Sequence, residues 1–429
     1  MRFRLLGTLL LLALPTLARA QATNSDELPA NFLANTKPLM HGFSAAGGAG
    51  HLGTRTSGGV LGVDSVLNWG GSFYDPGVDG FGNAQYTWQY TMVGRSPQSR
   101  HQGEDDDEFE GSTTKIGAPV IPVNLDLRNF DGSPRYVNGQ RLYVDATQYV
   151  QPVLKSPVFS DATYSSSQVP TQFADAVQRA EFFNTANYDW HTLLKPRVAT
   201  TRTIQLVRGT YRYALNPDGT CCAYVLVDEG AFFNALFPAT PTDTTTPIGA
   251  AENSGEFKTK DIGTFLFNNV FLYAPGDPTN CCVLGFHSYD VEPGNKANGW
   301  QEKRFVMNFS SWVSPGLFGT SFADVTALSH EMSELFNDPF VNNATPIWVA
   351  PNGNCQNNLE VGDVTEGLPN STTTYVMNGR TYHPQTEALL QWFAGVTPSN
   401  AIQGAYSYPN TSLLTAAAVS SGTNCKPLP

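Results

Sequence analysis

A short segment near residue 330 carries metal-binding residue types at the spacing of one helical turn. It reads His330-Glu331-Met332-Ser333-Glu334. Because residues four apart lie on one face of an α-helix, the imidazole of His330 and the carboxylate of Glu334 can point at one ion. Glu331 then projects beside them, where its carboxylate can take a proton from a metal-bound water. The segment differs from the familiar His-Glu-x-x-His zinc motif at one place, where a carboxylate replaces the second imidazole.

A catalytic zinc site takes three protein ligands and a water, so another part of the chain must supply a third ligand. Glu360, in an acid-rich segment that follows a loop, is the preferred candidate, and Asp338 is the alternative. Asp363 is suited to orienting a ligand by hydrogen bonding. His287 is a candidate hydrogen-bond donor to the transition state, although packing on a strand is the more ordinary role for such a histidine. We therefore expect one zinc ion, held by the two helix residues and one of these acids.

The helix that carries the motif is predicted from apolar residues at steps of three and four. These residues are Phe322, Val325, Leu328, Met332 and Leu335. The pattern predicts a helix over residues 322–337 with a cap at Thr320 or Ser321. The helix must end at Asp338, because the residue before Pro339 is disfavoured in the helical conformation.

This predicted helix places His330 and Glu334 near its buried face, where a divalent ion would satisfy both side chains. A simpler interpretation needs no ion and hydrogen-bonds the two side chains to each other or to a sheet. If zinc does bind, the carboxylate of Glu334 donates more charge than a neutral imidazole and weakens the Lewis acidity of the ion. Low activity, or an ion that prefers oxygen ligands, is then expected.

The elements upstream of the motif helix predict a sheet. Residues 119–127 alternate and are rich in β-branched types, which is typical of a strand. Residues 171–183 follow a proline, can cap through Thr171 and repeat apolar residues at helical steps, so they predict an amphipathic helix. Further strand-like runs lie at 202–207, 223–227, 264–273 and 283–289. This order of elements resembles that of the zincin catalytic domain. We therefore expect an α+β fold with a twisted mixed sheet, two main helices, and residues 284–289 as the edge strand beside the cleft.

The N-terminal part of the chain indicates export. Arg2 and Arg4 precede an apolar run, and Ala18-Arg19-Ala20 supplies small residues at cleavage positions, so residues 1–20 are interpreted as a signal peptide. Residues 21–115 are rich in Gly, Ser and Asn and end in an acidic run at 104–108, which suggests a mobile arm, a cover or a propeptide. Residues 116–429 then form the predicted zincin-like domain, with a C-terminal part tied by disulfides.

The acidic balance of the chain limits its partners. The formal net charge of -12 becomes -15 when Arg2, Arg4 and Arg19 are removed with the signal peptide. Such a surface is a poor partner for nucleic acid, and no later run of about 18 apolar residues is present to span a membrane. We expect a secreted protein, extracellular or periplasmic, that acts on a peptide or protein substrate.

Six cysteines lie at positions 221, 222, 281, 282, 355 and 425. An even number in an exported chain predicts disulfides. Adjacent cysteines rarely bond to each other, so the pairs 221/222 and 281/282 are expected to be cross-linked to other segments. Cys355 and Cys425 would then tie the tail to the site region. No Cys-x-x-Cys spacing occurs, which disfavours a cysteine metal cluster.

The motif region also resembles a known group of proteins. It resembles exported bacterial and fungal proteins regarded as zincin-like, which carry Ser-His-Glu-x-x-Glu, Asp-Pro and Glu-Ile-Gly-Asp signatures. The matching residues are Ser329 before the motif, Asp338-Pro339, Trp348 and the Glu-Val-Gly-Asp segment 360–363. The resemblance covers roughly residues 280 to 415.

The resemblance implies metal-ligand roles for His330, Glu334 and Glu360, with Glu331 as the base. In the group a cysteine often follows two residues after the Asp, whereas this chain has Thr365 there. The local disulfide must therefore differ.

These residues favour metal-assisted hydrolysis of an amide bond, with zinc as the cofactor. Two alternatives stay open: a zincin-derived binding or surface protein whose metal site is structural, and a carbohydrate-active or adhesive exoprotein suggested by the aromatic residues of the N-terminal region. Other hydrolase chemistries are disfavoured, because no Gly-x-Ser-x-Gly elbow or phosphate loop is present and paired cysteines are too readily oxidised for thiol catalysis.

Overall fold

The computed structural model describes residues 26–36, 60–78, 84–98, 109–110, 113–320 and 322–418. The predicted signal peptide, the acidic run 104–108, Ser321 and Cys425 lie outside the described residues. Within the described ranges, no helix has both the length and the apolar character needed to cross a membrane.

The strands begin, in chain order, with β1 (Val63–Asp64), β2 (Asn68–Val78), β3 (Ala84–Val93), β4 (Phe109–Glu110), β5 (Thr113–Arg128), β6 (Tyr136–Val137), β7 (Gln140–Arg141) and β8 (Tyr143–Val144). They continue with β9 (Thr192–Val198), β10 (Arg202–Val207), β11 (Tyr211–Leu215), β12 (Cys221–Asp228), β13 (Ile262–Asn268), β14 (Val270–Tyr273), β15 (Cys281–Val283) and β16 (Gly285–Glu292). They end with β17 (Glu302–Trp312), β18 (Ala344–Val349), β19 (Cys355–Asn358), β20 (Tyr375–Met377), β21 (Arg380–Tyr382), β22 (Glu387–Ala388) and β23 (Ser407–Tyr408).

The α-helices are α1 (Val150–Leu154), α2 (Phe173–Glu181), α3 (Glu229–Leu236), α4 (Pro247–Asn253), α5 (Thr326–Asn337) and α6 (Leu390–Phe393). Short 3-10 turns lie at Phe32–Asn35, Thr147–Tyr149, Lys296–Asn298 and Ile402–Gly404.

Nine of the described strands form one large mixed sheet. Its central path is β1-β17-β13-β5-β10, and neighbouring strands along that path are parallel. Residues 119–127 of β5 are all buried, so both faces of this strand are covered, as is usual for a strand with parallel neighbours. The chain is thus a mixed α/β protein with a large sheet and few helices, which agrees with the predicted α+β class.

One edge of this sheet carries a predicted site residue. β16 pairs antiparallel with β17, and His287 of β16 lies opposite Asn308. Helix α5 packs against both strands. The sequence prediction that residues 284–289 form a strand beside the motif helix is therefore confirmed in its essentials.

Two predicted strands are each divided between two sheets. The predicted single strand 264–273 is wrong, because Asn269 has a φ of 49° and interrupts it. β13 before it belongs to the large sheet, and β14 after it belongs to a four-stranded sheet with the order β11-β12-β14-β15. Asparagine tolerates this left-handed conformation, and its side chain donates to Ala223 O at 2.9 Å. Likewise, the run 283–289 divides at Leu284 between β15 and β16.

Helix α2 lies within the predicted helix 171–183 but is shorter at both ends. The predicted cap through Thr171 is wrong, because its hydroxyl donates to the Asp175 carboxylate at 2.6 Å. The actual N-cap is Gln172, which makes no capping hydrogen bond with its side chain.

Helix α5 ends where the sequence predicts but begins at Thr326, later than expected. The reason is Asp324, which has a φ of 43°. Its carboxylate accepts hydrogen bonds from the backbone N–H groups of Val325 at 2.7 Å and His383 at 2.8 Å. This anchored turn holds residues 322–325 outside the helix, so the predicted cap at 320 or 321 is wrong.

Every residue of α5 is buried. Its apolar face joins a core cluster that contains Leu328, Met332, Leu335, Phe336, Val306 and Trp312. Each such side chain, when fully buried, stabilises the fold by about 1.5–3 kcal/mol. This packing offsets the cost of burying the charged side chains on the other face of the helix.

The described part of the predicted N-terminal region packs on the body of the protein. Hairpin β2–β3 contributes to a core cluster that includes Trp69, Trp88, Tyr90, Trp348 and Trp392. Asn343 ties the hairpin to the segment after α5, because its side chain accepts from Thr91 N at 2.8 Å and donates to Thr91 O at 2.7 Å. Strands β2 and β3 therefore help to position the motif helix, since β3 also contacts α5.

The predicted disulfide pattern is wrong for the adjacent cysteines. Cys221 is bonded to Cys222, and Cys281 is bonded to Cys282. The Cα atoms of these pairs lie 3.0 and 3.1 Å apart, closer than the roughly 3.8 Å of an ordinary trans dipeptide, so the two sulfur atoms of each pair meet. Cys355 is also disulfide-bonded.

A buried acid pair away from the motif makes stability depend on pH. Burial, together with the nearby Asp290 and Glu292, raises the pKa of Glu252 to about 9 against the attraction of Lys303. Burial and Glu292 raise the pKa of Asp290 to about 7. Because the folded state holds these protons more tightly than the unfolded chain, stability falls as pH rises from about 4 to about 9.

We expect Glu252→Gln to remove this loss, about 1.4 kcal/mol per pH unit, so that between pH 5 and pH 9 the variant gains several kcal/mol of stability relative to wild type. Urea unfolding at the two pH values measures the difference. Parallel pH profiles for the two proteins would show that Glu252 is ionised in the folded state.

Candidate metal centre

Three elements bring histidines and acids to one buried place. α5 supplies His330, Glu331 and Glu334, β16 supplies His287, and the turn after β19 supplies Glu360 and Asp363, all with no exposed surface. The helical spacing predicted from the sequence holds, since the imidazole Nε2 of His330 lies 3.1 Å from Glu334 Oε1. What the sequence did not indicate is that the donor atoms divide into two groups.

The first group contains His330, Glu334 and Asp363. From His330 Nε2, the distances are 3.1 Å to Glu334 Oε1 and 3.5 Å to Asp363 Oδ1. Donor atoms around a tetrahedral ion with bonds of about 2.0–2.2 Å lie about 3.3–3.6 Å apart. The separations therefore match those of ligands around one zinc ion.

The second group contains His287, Glu334 and Glu360. His287 Nδ1 lies 3.4 Å from Glu334 Oε2, and its Nε2 lies 3.8 Å from Glu360 Oε2. Glu331 Oε2 is also near, at 3.6 Å from His287 Nδ1. The structure thus places His287, predicted as a hydrogen-bond donor, among the candidate ligands, and places Glu360 beside His287 rather than in the group of His330.

The atoms of these groups are close together but are not hydrogen-bonded to one another. Among the described residues, neither ring nitrogen of His287 or His330 has a hydrogen-bond partner, and neither has either carboxylate oxygen of Glu331 or Glu360. A buried polar atom without a partner costs about 1–3 kcal/mol, and more when it is charged. In the first group, distances of 3.1 and 3.5 Å from one ring nitrogen without hydrogen-bond geometry are what donors around a shared cation have.

Backbone groups hold the shared carboxylate in place. Glu334 Oε1 accepts from Gly362 N at 3.0 Å and from Asp363 N at 3.3 Å. Gly362 is required for this approach, because a Cβ there would lie 2.4 Å from Nδ1 of His330. A Cβ at Gly285 would lie 2.7 Å from Cγ of Glu331. Two glycines therefore let the turn and the edge strand close on the helix.

The turn that carries the acids is itself fixed by hydrogen bonds. Gln356 donates to the carboxylate of Asp363, and Gln385 donates to Gly362 O at 2.7 Å. Asn354 donates to the backbone oxygen of Asp363 at 3.0 Å. Contacts of this kind orient metal ligands and sharpen their geometry.

Asp338, the alternative third ligand in the sequence prediction, lies outside both groups. Its carboxylate accepts from the backbone N–H of Asn342 at 2.9 Å and of Asn343 at 3.1 and 3.2 Å. Burial raises its pKa to about 6 despite these donors and the nearby His287. Its observed contacts close the turn after α5.

Glu387 is a buried acid of the site that the sequence analysis missed. It lies on β22, has no exposed surface, and burial raises its pKa well above the ordinary value although His330 lowers it. Its Oε2 accepts weakly from Gln385 at 3.5 Å. No local motif marks this residue. A backbone hydrogen bond from the neighbouring Ala388 N to Val361 O, at 2.8 Å, ties its strand to the acidic turn.

Burial and mutual repulsion control the ionisation of the cluster. Burial raises the pKa of Glu331 to about 7, against the lowering effect of His330 and His287, and raises that of Glu360 well above its usual range. Burial lowers the pKa of both histidines, but the carboxylates outweigh it and leave both well above the ordinary value. For Glu334, burial is outweighed by the two histidines, so its pKa lies below its usual range. The cluster therefore binds protons that limit its negative charge. In a metal site, a divalent cation limits the negative charge instead.

No protein-family model matches this chain, and no curated protein sequence or solved structure shows significant similarity to it.

Proposed function

We propose that the protein is a secreted metal-dependent hydrolase that cleaves amide bonds in peptides or proteins, with zinc as its preferred ion. The observation that carries this proposal is the set of buried imidazole and carboxylate atoms, 3.1–3.8 Å apart, that are not hydrogen-bonded to one another. A histidine with two carboxylates in each group suits zinc and other first-row divalent ions.

The bound ion would supply Lewis acidity and a water whose pKa is lowered toward about 7. The remaining chemistry belongs to the chain. Glu331 follows a donor histidine on α5, and both of its carboxylate oxygens lack hydrogen-bond partners among the described residues. It is the residue we assign as the general base. Gly285 leaves room for its side chain, because a Cβ at position 285 would lie 2.7 Å from Cγ of Glu331.

The arrangement of α5 beside an antiparallel edge strand supports a zincin-like catalytic domain, as does the order of elements. In this proposal β16 is the edge strand and α5 is the motif helix, while α2 is the second main helix and contacts α5. The resemblance of residues 280–415 to exported zincin-like proteins is a further reason to propose hydrolysis.

Complete burial of the donors favours a second candidate function. His330, Glu331, Glu334 and Glu360 have no exposed surface, which suits a structural ion that holds α5, β16 and the acidic turn together. In that case the protein would be a binding or surface protein of zincin origin, and substrate would never reach the ion.

The two candidates are separated by assaying natively purified mature protein for bound metal and for hydrolysis of a casein or mixed-peptide substrate. The proposed hydrolase contains zinc, loses activity with a chelator, and regains it when zinc is restored. Bound metal without hydrolysis at any zinc concentration would favour the structural role. Absence of any bound divalent metal would contradict both candidates.

A further inference from the structure

The two donor groups of the metal centre share one residue. Glu334 directs Oε1 toward His330 at 3.1 Å and Oε2 toward His287 at 3.4 Å. The two histidines come from different elements and are never members of the same group among the described residues. Each group adds its own acid, Asp363 in one and Glu360 in the other.

We infer that this centre binds two divalent metal ions, bridged by the carboxylate of Glu334. One ion is held by His330, Glu334 and Asp363, and the other by His287, Glu334 and Glu360. The inference rests on the proposed metal-binding function and goes beyond the single zinc ion that the motif predicts.

The geometry of the shared carboxylate supports a bridge. In two-metal sites the ions lie about 3.5–4 Å apart, a separation that a carboxylate can span when each oxygen binds one ion. The backbone N–H groups of Gly362 and Asp363 both donate to Oε1 of Glu334 and anchor that oxygen. Hydrogen bonds to a ligating carboxylate are common and orient it.

The second group has its own unsatisfied atoms. Both nitrogens of His287 and both oxygens of Glu360 lack hydrogen-bond partners among the described residues, as does Oε2 of Glu334. An ion held only by His330, Oε1 of Glu334 and Asp363 would leave all five of these atoms unsatisfied. A second ion would be held by one ring nitrogen of His287 and one oxygen each of Glu334 and Glu360, all on completely buried side chains.

Charge balance favours two ions over one. In the part of the chain that the structure describes, histidines are the only ion-pair partners of Glu331, Glu334 and Glu360. Glu387 adds a further buried acid. Burying several carboxylates is costly unless cations compensate them. Two divalent ions supply four positive charges and free both imidazoles to act as neutral ligands.

The direct test is to count and locate the ions in wild-type protein. The protein is loaded with excess zinc, passed through a desalting column, and analysed by mass spectrometry for zinc per chain. Crystals of the same sample give an anomalous map at the zinc edge. We expect two zinc ions per chain and two anomalous peaks, one beside His330 and one beside His287, with Glu334 between them.

Variants assign each ion to its group. His287→Ala and His330→Ala should each lower the content from two ions to one, while Glu252→Gln, which changes a buried acid elsewhere, should retain two. Circular dichroism checks that each variant is folded, and the wild-type map decides the matter if a variant is not.

A wild-type map with one peak, or a second ion bound away from His287, would overturn this inference while leaving the proposed hydrolase intact. Absence of any zinc from wild-type protein would instead overturn the proposed function itself.

Discussion

Glu331→Gln is expected to keep the bound metal and to lose hydrolysis of the peptide substrate by about 10²- to 10⁴-fold, the range for removal of a general base. The amide of Gln has nearly the shape of the carboxylate, so it fits the space that Gly285 leaves for this side chain. It cannot accept the proton of an attacking water at neutral pH. The loss should appear in kcat, with little change in KM.

The measurement combines steady-state kinetics with metal analysis of the same preparation. Glu252→Gln is the matched control, since it makes the same chemical change at a buried acid on α4 and should retain full activity. Retained hydrolysis in Glu331→Gln would show that another group is the base. Loss of metal from this variant would show that Glu331 is a ligand.

Glu334→Gln is expected to have the largest effect on metal binding, because Glu334 belongs to both donor groups. Metal content should fall to background and hydrolysis should disappear. In zinc at about 1,000 times the dissociation constant, bound ion stabilises the wild-type fold by about 4 kcal/mol. The variant loses that stabilisation, so the two proteins should differ by several kcal/mol in zinc and by much less in chelator.

Thermal and urea unfolding with zinc and with chelator measure this difference. Glu331→Gln serves as the neighbouring control on the same helix, because it should still gain stability from zinc. Zinc-dependent stability that is equal in Glu334→Gln and wild type would contradict any role of this carboxylate in binding the ion.

The candidate metal ligands have no exposed surface, whereas hydrolysis requires a substrate to reach the metal ion. In the proposed hydrolase, substrate would reach the ion only if an element around the site moves. The candidates are the acidic turn at 359–363 and hairpin β2–β3, whose strand β3 contacts α5. The turn is pinned by bonds from Gln356 and Gln385, whereas Asn343 ties the hairpin to the body through Thr91. The assay for hydrolysis therefore also reports on whether such opening occurs.

Local sequence patterns were sufficient for part of the site. His330 and Glu334 share a helix face because the helical repeat fixes their relation, whatever the rest of the chain does. The end of α5 was predictable from Pro339, since the restriction that proline imposes is also local. β5 and β10 were predictable because their segments have strong strand character.

Other features could not be read from neighbouring residues. The start of α5 depends on Asp324, whose carboxylate binds the backbone of His383, and the break at Asn269 depends on the meeting of two sheets. The bonding of Cys221 to Cys222 contradicts the usual behaviour of adjacent cysteines, and no spacing rule would have indicated it.

By itself, the sequence determined the helix that bears the motif, the residue types able to bind a metal, and the mixed α/β class. Only the tertiary structure decided which acid accompanies which histidine. It places Asp363 near His330 and Glu360 near His287, and it places Glu387 of β22 close to the same cluster. The physical reason is that metal-ligand distances must hold within a few tenths of an ångström. Such precision between distant segments is set by strand register, close contacts at glycine and the packing of α5, not by spacing along the chain.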